Sequence, residues 1–241
     1  MSTHKKAKHP TRKADHDSGF LKTLMSVIGL TVILSATLFL SAGRLDWVIA
    51  WVYMGARVGV AAVSMFMISS KYPGLLDERF QPGEGVEVWD KALSSITTIL
   101  LIITLIMAGL DMRFGWSPLI PTAIQLVALA IGLLGDVFSK WGAVSNRFYS
   151  RIVRIQKDRN HTVVKDGPYR YVRHPGYAGA LVAGFATPFV LSSLWALVPI
   201  GTMTFLLVIR TALEDKTLLE ELPGYTEYAQ ETRYRLVPGV W

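Results

Sequence analysis

The chain has 241 residues, of which 51% are hydrophobic and only 18% charged, with a mean hydropathy of +0.35. An ordinary soluble domain has about a quarter of its residues charged, so the bilayer is the expected solvent. Cysteine is absent, which excludes disulfides, thiolate metal sites, a cysteine nucleophile and palmitoylation, and the net charge of +7 poses the question of which membrane face holds it.

The first stretch, residues 1–22, carries Lys5, Lys6, Lys8, Arg12, Lys13 and Lys22 against Asp15 and Asp17 and reads as a disordered basic tail. Residues 23–43 are free of charge, and about 20 apolar residues suffice to span a hydrocarbon core of ~30 Å. The run is too long for the apolar region of a signal peptide, so a signal-anchor helix is expected. A second span is predicted over residues 47–70, apolar apart from Arg57 and closed by Tyr72-Pro73-Gly74. Polar residues 75–91 lead to a third apolar run, 92–110, and the turn 111–118 leads to a fourth, 119–137.

Arg57 falls near mid-membrane, where a cation is costly and faces a partner; Asp136 is one candidate, though Asp136 also stands four residues before Lys140. Gly55 and Gly59 flank Arg57 at a spacing that allows close helix approach. Residues 175–209 contain no charge, yet a single helix of that length would be ~52 Å long. A hairpin of two short helices is predicted instead, with its tip at Leu191-Ser192-Ser193 and with Pro188 and Pro199 as tolerated kinks.

Four spans place the tail, residues 75–91, residues 140–174 and the C-terminus on one side. The third of these carries Lys140, Arg147, Arg151, Arg154, Lys157, Arg159, Lys165, Arg170 and Arg173 against Asp158 and Asp166, whereas the opposite face offers Arg44, Asp46, Asp111 and Arg113. By the positive-inside rule the basic side is cytoplasmic. The fold class is thus all-α, a polytopic membrane protein of about six membrane-embedded helices with a terminal short-helix hairpin and a cytosolic loop. The organisation is a tail (1–22), a four-span region (23–140) and a C-terminal region (141–241).

Within the basic loop, Asp166-Gly167-Pro168 signals a turn and Pro175 suits the first position of a helix, with His174 near its N-cap. Unpaired N–H groups at that helix start, reinforced by Arg170 and Arg173, favour an anion. The same composition equally suits a juxtamembrane elbow at the headgroups. Arg210 and Glu214, at i and i+4, share one helix face at the end of the last span. A surface ion pair is the plain reading of that spacing; the alternative is that Glu214 orients Arg210 to grip a carboxylate. The histidines, His4, His9, His16, His161 and His174, show no metal-ligand spacing, and neither a metal nor a nucleic-acid partner is expected.

The run Gly167-Pro168-Tyr169-Arg170-Tyr171-Val172-Arg173-His174-Pro175-Gly176-Tyr177 resembles the G-P-Y-x-x-x-R-H-P-x-Y signature of the isoprenylcysteine carboxyl methyltransferase family. The resemblance continues at Arg210 to Asp215, similar to that family's R-x-x-x-E-E with Asp in the last place, and through Gly224-Tyr225, Tyr228 and Leu236-Val237-Pro238. Leu75-Leu76-Asp77-Glu78-Arg79 with Trp89-Asp90 resembles a weaker pattern of prokaryotic members. The resemblance implies methyl transfer from S-adenosylmethionine to a lipophilic or prenylated acceptor drawn from the bilayer. It implies cofactor contacts at Tyr169, Arg173, His174, Pro175, Tyr177 and Glu214, and catalytic roles for Arg210 and Glu214. It leaves three rivals: an aminophospholipid N-methyltransferase, a reductase of sterol-reductase type using NADPH, and an inactive membrane adaptor.

Overall fold

The computed structural model describes residues 12–72, 75, 88–150 and 152–241, with side chains from residue 21 onward. Among them are seven α-helices: α1 (Arg12–Ala42), α2 (Val48–Lys71), α3 (Val88–Phe114), α4 (Thr122–Ser145), α5 (Pro175–Val190), α6 (Leu197–Glu221) and α7 (Tyr225–Glu231). Two short 3-10 turns, Lys157–Arg159 and Gly167–Arg170, punctuate the loop before α5, and no strand occurs among the described residues. Five helices are long and apolar enough to cross a membrane: Leu21–Ala42 of α1, then α2, α3, α4 and α6. At ~1.5 Å per residue the 16 residues of α5 fall short of the bilayer.

The expected spans are all present, with longer boundaries. Helix α1 begins at Arg12, inside the stretch expected to be disordered, because extending a helix that a span has already nucleated costs little. The remainder of that tail, like Asp77, Glu78 and Arg79, lies outside the described residues. Helix α4 continues two turns beyond residue 137 to Ser145, so the expected division at 140/141 falls inside it. The hairpin is asymmetric: α5 is short, but α6 has 25 residues and runs on as a single helix through Arg210, Glu214 and Asp215. Pro199 stands in the first turn of α6 and Pro188 in the last turn of α5. At these ends a proline displaces few intrahelical hydrogen bonds, which is why neither divides a helix.

Helices α4 and α5 form the most extensive pair. A Cβ on Gly135 would come within 2.8 Å of the Gly179 carbonyl, and one on Gly179 would strike the Gly135 carbonyl and Ser139. The absent side chains let the two backbones touch. Gly55 and Gly59 behave differently: both are exposed and have nothing within 4 Å of a built Cβ, so α2 uses neither for close approach. Arg57 does find Asp136, at 3.2 Å, and its other terminal nitrogen donates to the Tyr53 hydroxyl at 2.8 Å. Tyr53 in turn bonds Thr187 of α5 at 3.0 Å, tying α2, α4 and α5 together within the apolar slab.

One end of the bundle is fastened by Asp111, which is buried at the end of α3. It accepts from the Ser117 N–H (2.7 Å), the Ser117 hydroxyl (2.6 Å) and the Ser193 hydroxyl (2.6 Å). The α3–α4 turn is thereby locked to the tip of the α5–α6 hairpin. At the other end, loop 146–174, the start of α5, the end of α6 and α7 enclose a cavity.

Candidate active site

Each wall of this cavity has an identifiable origin. Tyr169, Leu222, Tyr225 and Tyr228 form a separate buried cluster outside the apolar slab, with Ile155, Val163, Val164 and Leu218 packed on it. Burial pushes the hydroxyls of Tyr225 and Tyr228 well above their ordinary pKa, so both remain donors. Tyr228 donates to the Tyr169 carbonyl at 2.7 Å and Tyr225 to Asp215 at 2.9 Å. Loop 146–174 is held from beneath by Gln156, whose amide nitrogen donates to the Phe148 carbonyl (2.6 Å) and whose oxygen accepts from Arg159 (2.8 Å). The cavity is open on one side and has a volume of about 110 Å³.

The start of α5 and the end of α6 meet at the cavity's membrane side. His174 is the N-cap of α5 and Pro175 its first residue, as the sequence predicts. The Tyr177 hydroxyl donates to Glu214 at 2.5 Å, and the His174 and Tyr177 rings lie nearly parallel with centroids 5.9 Å apart. His174 Nε2 is 3.2 Å from Asp215 Oδ1. A carboxylate only accepts, so Nε2 bears the hydrogen and Nδ1, 3.9 Å from Glu214, is turned toward the second carboxylate. Among the described residues no acceptor meets the Gly176 N–H. The guanidinium of Arg210 lies over the Tyr177 ring, 5.2 Å from its centroid.

Three expectations are corrected here. The orienting partner of the Arg210 Nε–H is Asp90, at 2.8 Å from the first turn of α3; Glu214 is instead bonded by Tyr177. Arg173 serves the site as an internal strut. Its side chain is 6% exposed, it pairs with Asp215 at 2.8 Å, and it donates to the carbonyls of Ala229, Thr232 and Arg233. Asp215, which stands where the resembled pattern has its last Glu, is fully buried and accepts from Arg173, His174, Tyr225 and Arg235. Sequence reasoning missed Arg235 and the role of Asp90. The signals for the latter were the weaker Trp89-Asp90 resemblance and the place of Asp90 just before a long apolar run.

Fold and cavity define an all-helical polytopic membrane protein whose C-terminal hairpin builds a ligand site at one end of the bundle. Residues 127–220 match the model of the Isoprenylcysteine carboxyl methyltransferase (ICMT) family. A probable protein-S-isoprenylcysteine O-methyltransferase of Oryza sativa subsp. indica is 29% identical over 116 residues, 45% of this chain and 58% of the rice protein. The protein-S-isoprenylcysteine O-methyltransferase of Schizosaccharomyces pombe is 30% identical over 98 residues, 40% of this chain and 39% of the yeast protein. The cobalt-zinc-cadmium resistance protein CzcN of Cupriavidus metallidurans is 30% identical over 141 residues, 55% of this chain and 58% of CzcN. The chain thus spans 58% of the rice protein and of CzcN and 39% of the yeast protein.

Proposed function

We propose that the chain is a membrane methyltransferase that uses S-adenosylmethionine to O-methylate the carboxylate of a lipophilic, isoprenylcysteine-like acceptor. The observation that carries this reading is the convergence of the two motif regions, 167–177 and 210–215, in the Tyr177–Glu214 and His174–Asp215 bonds at the wall of one cavity.

The cavity's groups suit that cofactor. An amino-acid zwitterion needs a donor for its carboxylate and acceptors for its ammonium. The Gly176 N–H at the start of α5 provides the first, with the favourable helix field behind it. Glu214 and His174 Nδ1 provide the second. Apolar walls from Ile155, Val163 and Val164 suit a flat base. Bound there, S-adenosylmethionine supplies an electrophilic methyl group on a cationic sulfur.

Held by Glu214, His174 and the Gly176 N–H, S-adenosylmethionine would give its methyl group to an acceptor carboxylate and keep the electron pair on sulfur as a neutral thioether. No proton moves, so an ionised acceptor needs alignment rather than a base. Both reacting charges disappear in the step, which water opposes and a dry enclosure favours. Arg210 would supply the alignment: its planar fork matches a carboxylate, and it stacks on the ring of Tyr177, which lines the cavity.

The test is methyl transfer from tritiated S-adenosylmethionine to a farnesyl-cysteine analogue by the detergent-purified protein. Label in a base-labile methyl ester is expected. Label only in a base-stable lipid amine assigns the chain to amine methylation, and no label with either acceptor overturns the reading.

A further inference from the structure

Helix α4 ends at its C-cap Asn146, and the chain beyond it is strongly basic: residues 147–159 carry Arg147, Arg151, Arg154, Lys157 and Arg159 against Asp158 alone. Three of these side chains gather at the rim of the cavity. The guanidinium of Arg147 lies 4.6 Å from the centroid of the Phe148 ring, and that of Arg159 lies 5.6 Å from it. Arg154 lines the cavity together with Phe148 and His161, and its side chain is only 13% exposed, so its charge is poorly solvated. Asp158, its acid partner at 3.3 Å, is itself mostly in solvent, and among the described residues Arg147 pairs with no carboxylate. Burial, then the charges of Arg159, Arg154 and Arg147, lowers the pKa of His161, so the field of the cluster reaches the cavity wall. Like charges gathered on one ring repel, and an aromatic face attracts a cation without neutralising it.

We propose that Arg147 and Arg154 form a binding site for the phosphate of an anionic phospholipid headgroup at the rim of the cavity. Depth argues for a lipid as the source of the anion. Arg147 directly follows the cap of a helix long and apolar enough to span the membrane, which puts it at headgroup level. Basic clusters just beyond a span are where anionic lipids collect. A phosphate diester offers several acceptor oxygens, and planar guanidinium groups bind such oxygens in two-pronged fashion. The exposed Arg147 is open to a headgroup in the leaflet. The poorly solvated charge of Arg154 gains more from an arriving anion than a fully hydrated one does. The bound phosphate offsets the repulsion within the cluster and pins loop 146–174, one wall of the cavity, to the membrane surface. The site stands apart from the reaction proposed for the cavity and holds whether or not that reading does.

The experiment reads the thermal unfolding midpoint of the full chain in neutral-detergent micelles doped with equal mole fractions of phosphatidylglycerol or phosphatidylcholine. The salt is kept at about 0.15 M, where exposed charges more than ~8 Å apart are largely screened. Phosphatidylglycerol is expected to raise the wild-type midpoint above its value in phosphatidylcholine by about 4 °C or more, the shift a near-saturated site gives a chain of this size. The double variant Arg147→Gln, Arg154→Gln should shrink that difference to less than about 1 °C. A charge-matched control, Lys165→Gln with Lys216→Gln, removes two exposed cations outside the cluster and should keep it. No difference between the lipids in wild type, or an equal loss in variant and control, overturns the inference. A rise of the same size from inorganic phosphate in phosphatidylcholine micelles assigns the anion to solution and overturns the lipid source. If the double variant fails to fold, the exposed Arg147→Gln alone, expected to lose at least about half of the shift, is judged against Lys165→Gln by the same criteria. None of these readings uses methyl transfer, so an inactive protein rejects the proposed function and leaves this test in force.

Discussion

Asp215 carries more of the site's architecture than its size suggests. Its oxygens receive two guanidinium groups, an imidazole and a phenol, from three separate segments of the C-terminal region: Arg173 and His174 before α5, Tyr225 on α7 and Arg235 beyond it. With Arg173 held there, its backbone N–H and that of His174 donate to the carbonyls of Tyr234 and Arg235, at 2.9 and 3.0 Å, and the chain end is stitched over the cavity. Aspartate fits because the donors already surround it at contact distance with no exposed surface left. The longer glutamate typical of the resembling pattern would have to push into them. Asp215→Glu is therefore expected to destabilise the protein by about 1–3 kcal/mol, the usual cost of an extra methylene in a packed interior. The check is thermal unfolding in detergent against wild type, and an equal or higher midpoint would contradict it. The same substitution leaves Tyr177 and Glu214 untouched, so residual methyl transfer at low temperature should persist.

Among the elements, the apolar spans were legible and the loop was not. Length and hydropathy alone place α1 to α4, because a bilayer demands about 20 apolar residues whatever packs against them. The asymmetry of the α5–α6 hairpin escaped that logic: the charges at Arg210 and Glu214 ended the apolar run at residue 209, but their partners Asp90 and Tyr177 come from other segments and let α6 continue. In loop 146–174 the motif identified which residues matter, yet the C-terminal partners of Tyr169, Arg173 and His174 lie 41 to 63 positions away and leave no spacing signal. His161 illustrates how such a loop is held. Its Nδ1 accepts weakly from the Gln156 N–H at 3.4 Å, and its ring packs on Phe148 with centroids 4.5 Å apart. Burial, then the cations of Arg159, Arg154 and Arg147, pushes its pKa down from 6.5 to about 4. The folded loop thus binds fewer protons than the unfolded chain between these values, so its stabilising contribution is complete above pH 6.5 and lost as pH falls toward about 4. Unfolding midpoints in detergent should fall more between pH 7 and pH 5 for wild type than for His161→Asn, which cannot protonate. Parallel declines in the two proteins would show that other groups control the acid limb.

For the whole molecule, the charge that first raised the question of nucleic acid becomes a statement about direction. Loop 146–174, the start of α5 and the end of α6 lie at one end of the bundle with the cavity. The turns after α1 and α3 and the hairpin tip at Ser192-Ser193 lie at the other. Lys157, Lys165 and Arg170 are exposed at the cavity end, whereas the far end presents the mutually paired Arg44 and Asp46 and the buried Asp111. By the positive-inside rule the cavity is expected to face the cytoplasm, the side from which the proposed water-soluble cofactor would reach it. The absence of cysteine makes the orientation directly measurable, since any thiol label reports only an introduced residue. Single cysteines in place of Asp46 or Leu119, both highly exposed at the far end, should react with a membrane-impermeant maleimide added outside intact cells or spheroplasts. Cysteines replacing Lys157 or Lys165 should react only after the membrane is opened. The reverse pattern would place the cavity on the outer face and require the cofactor to cross the membrane. Labelling of all four positions in sealed cells would mean that both orientations are inserted, and the charge asymmetry would then be insufficient to set topology.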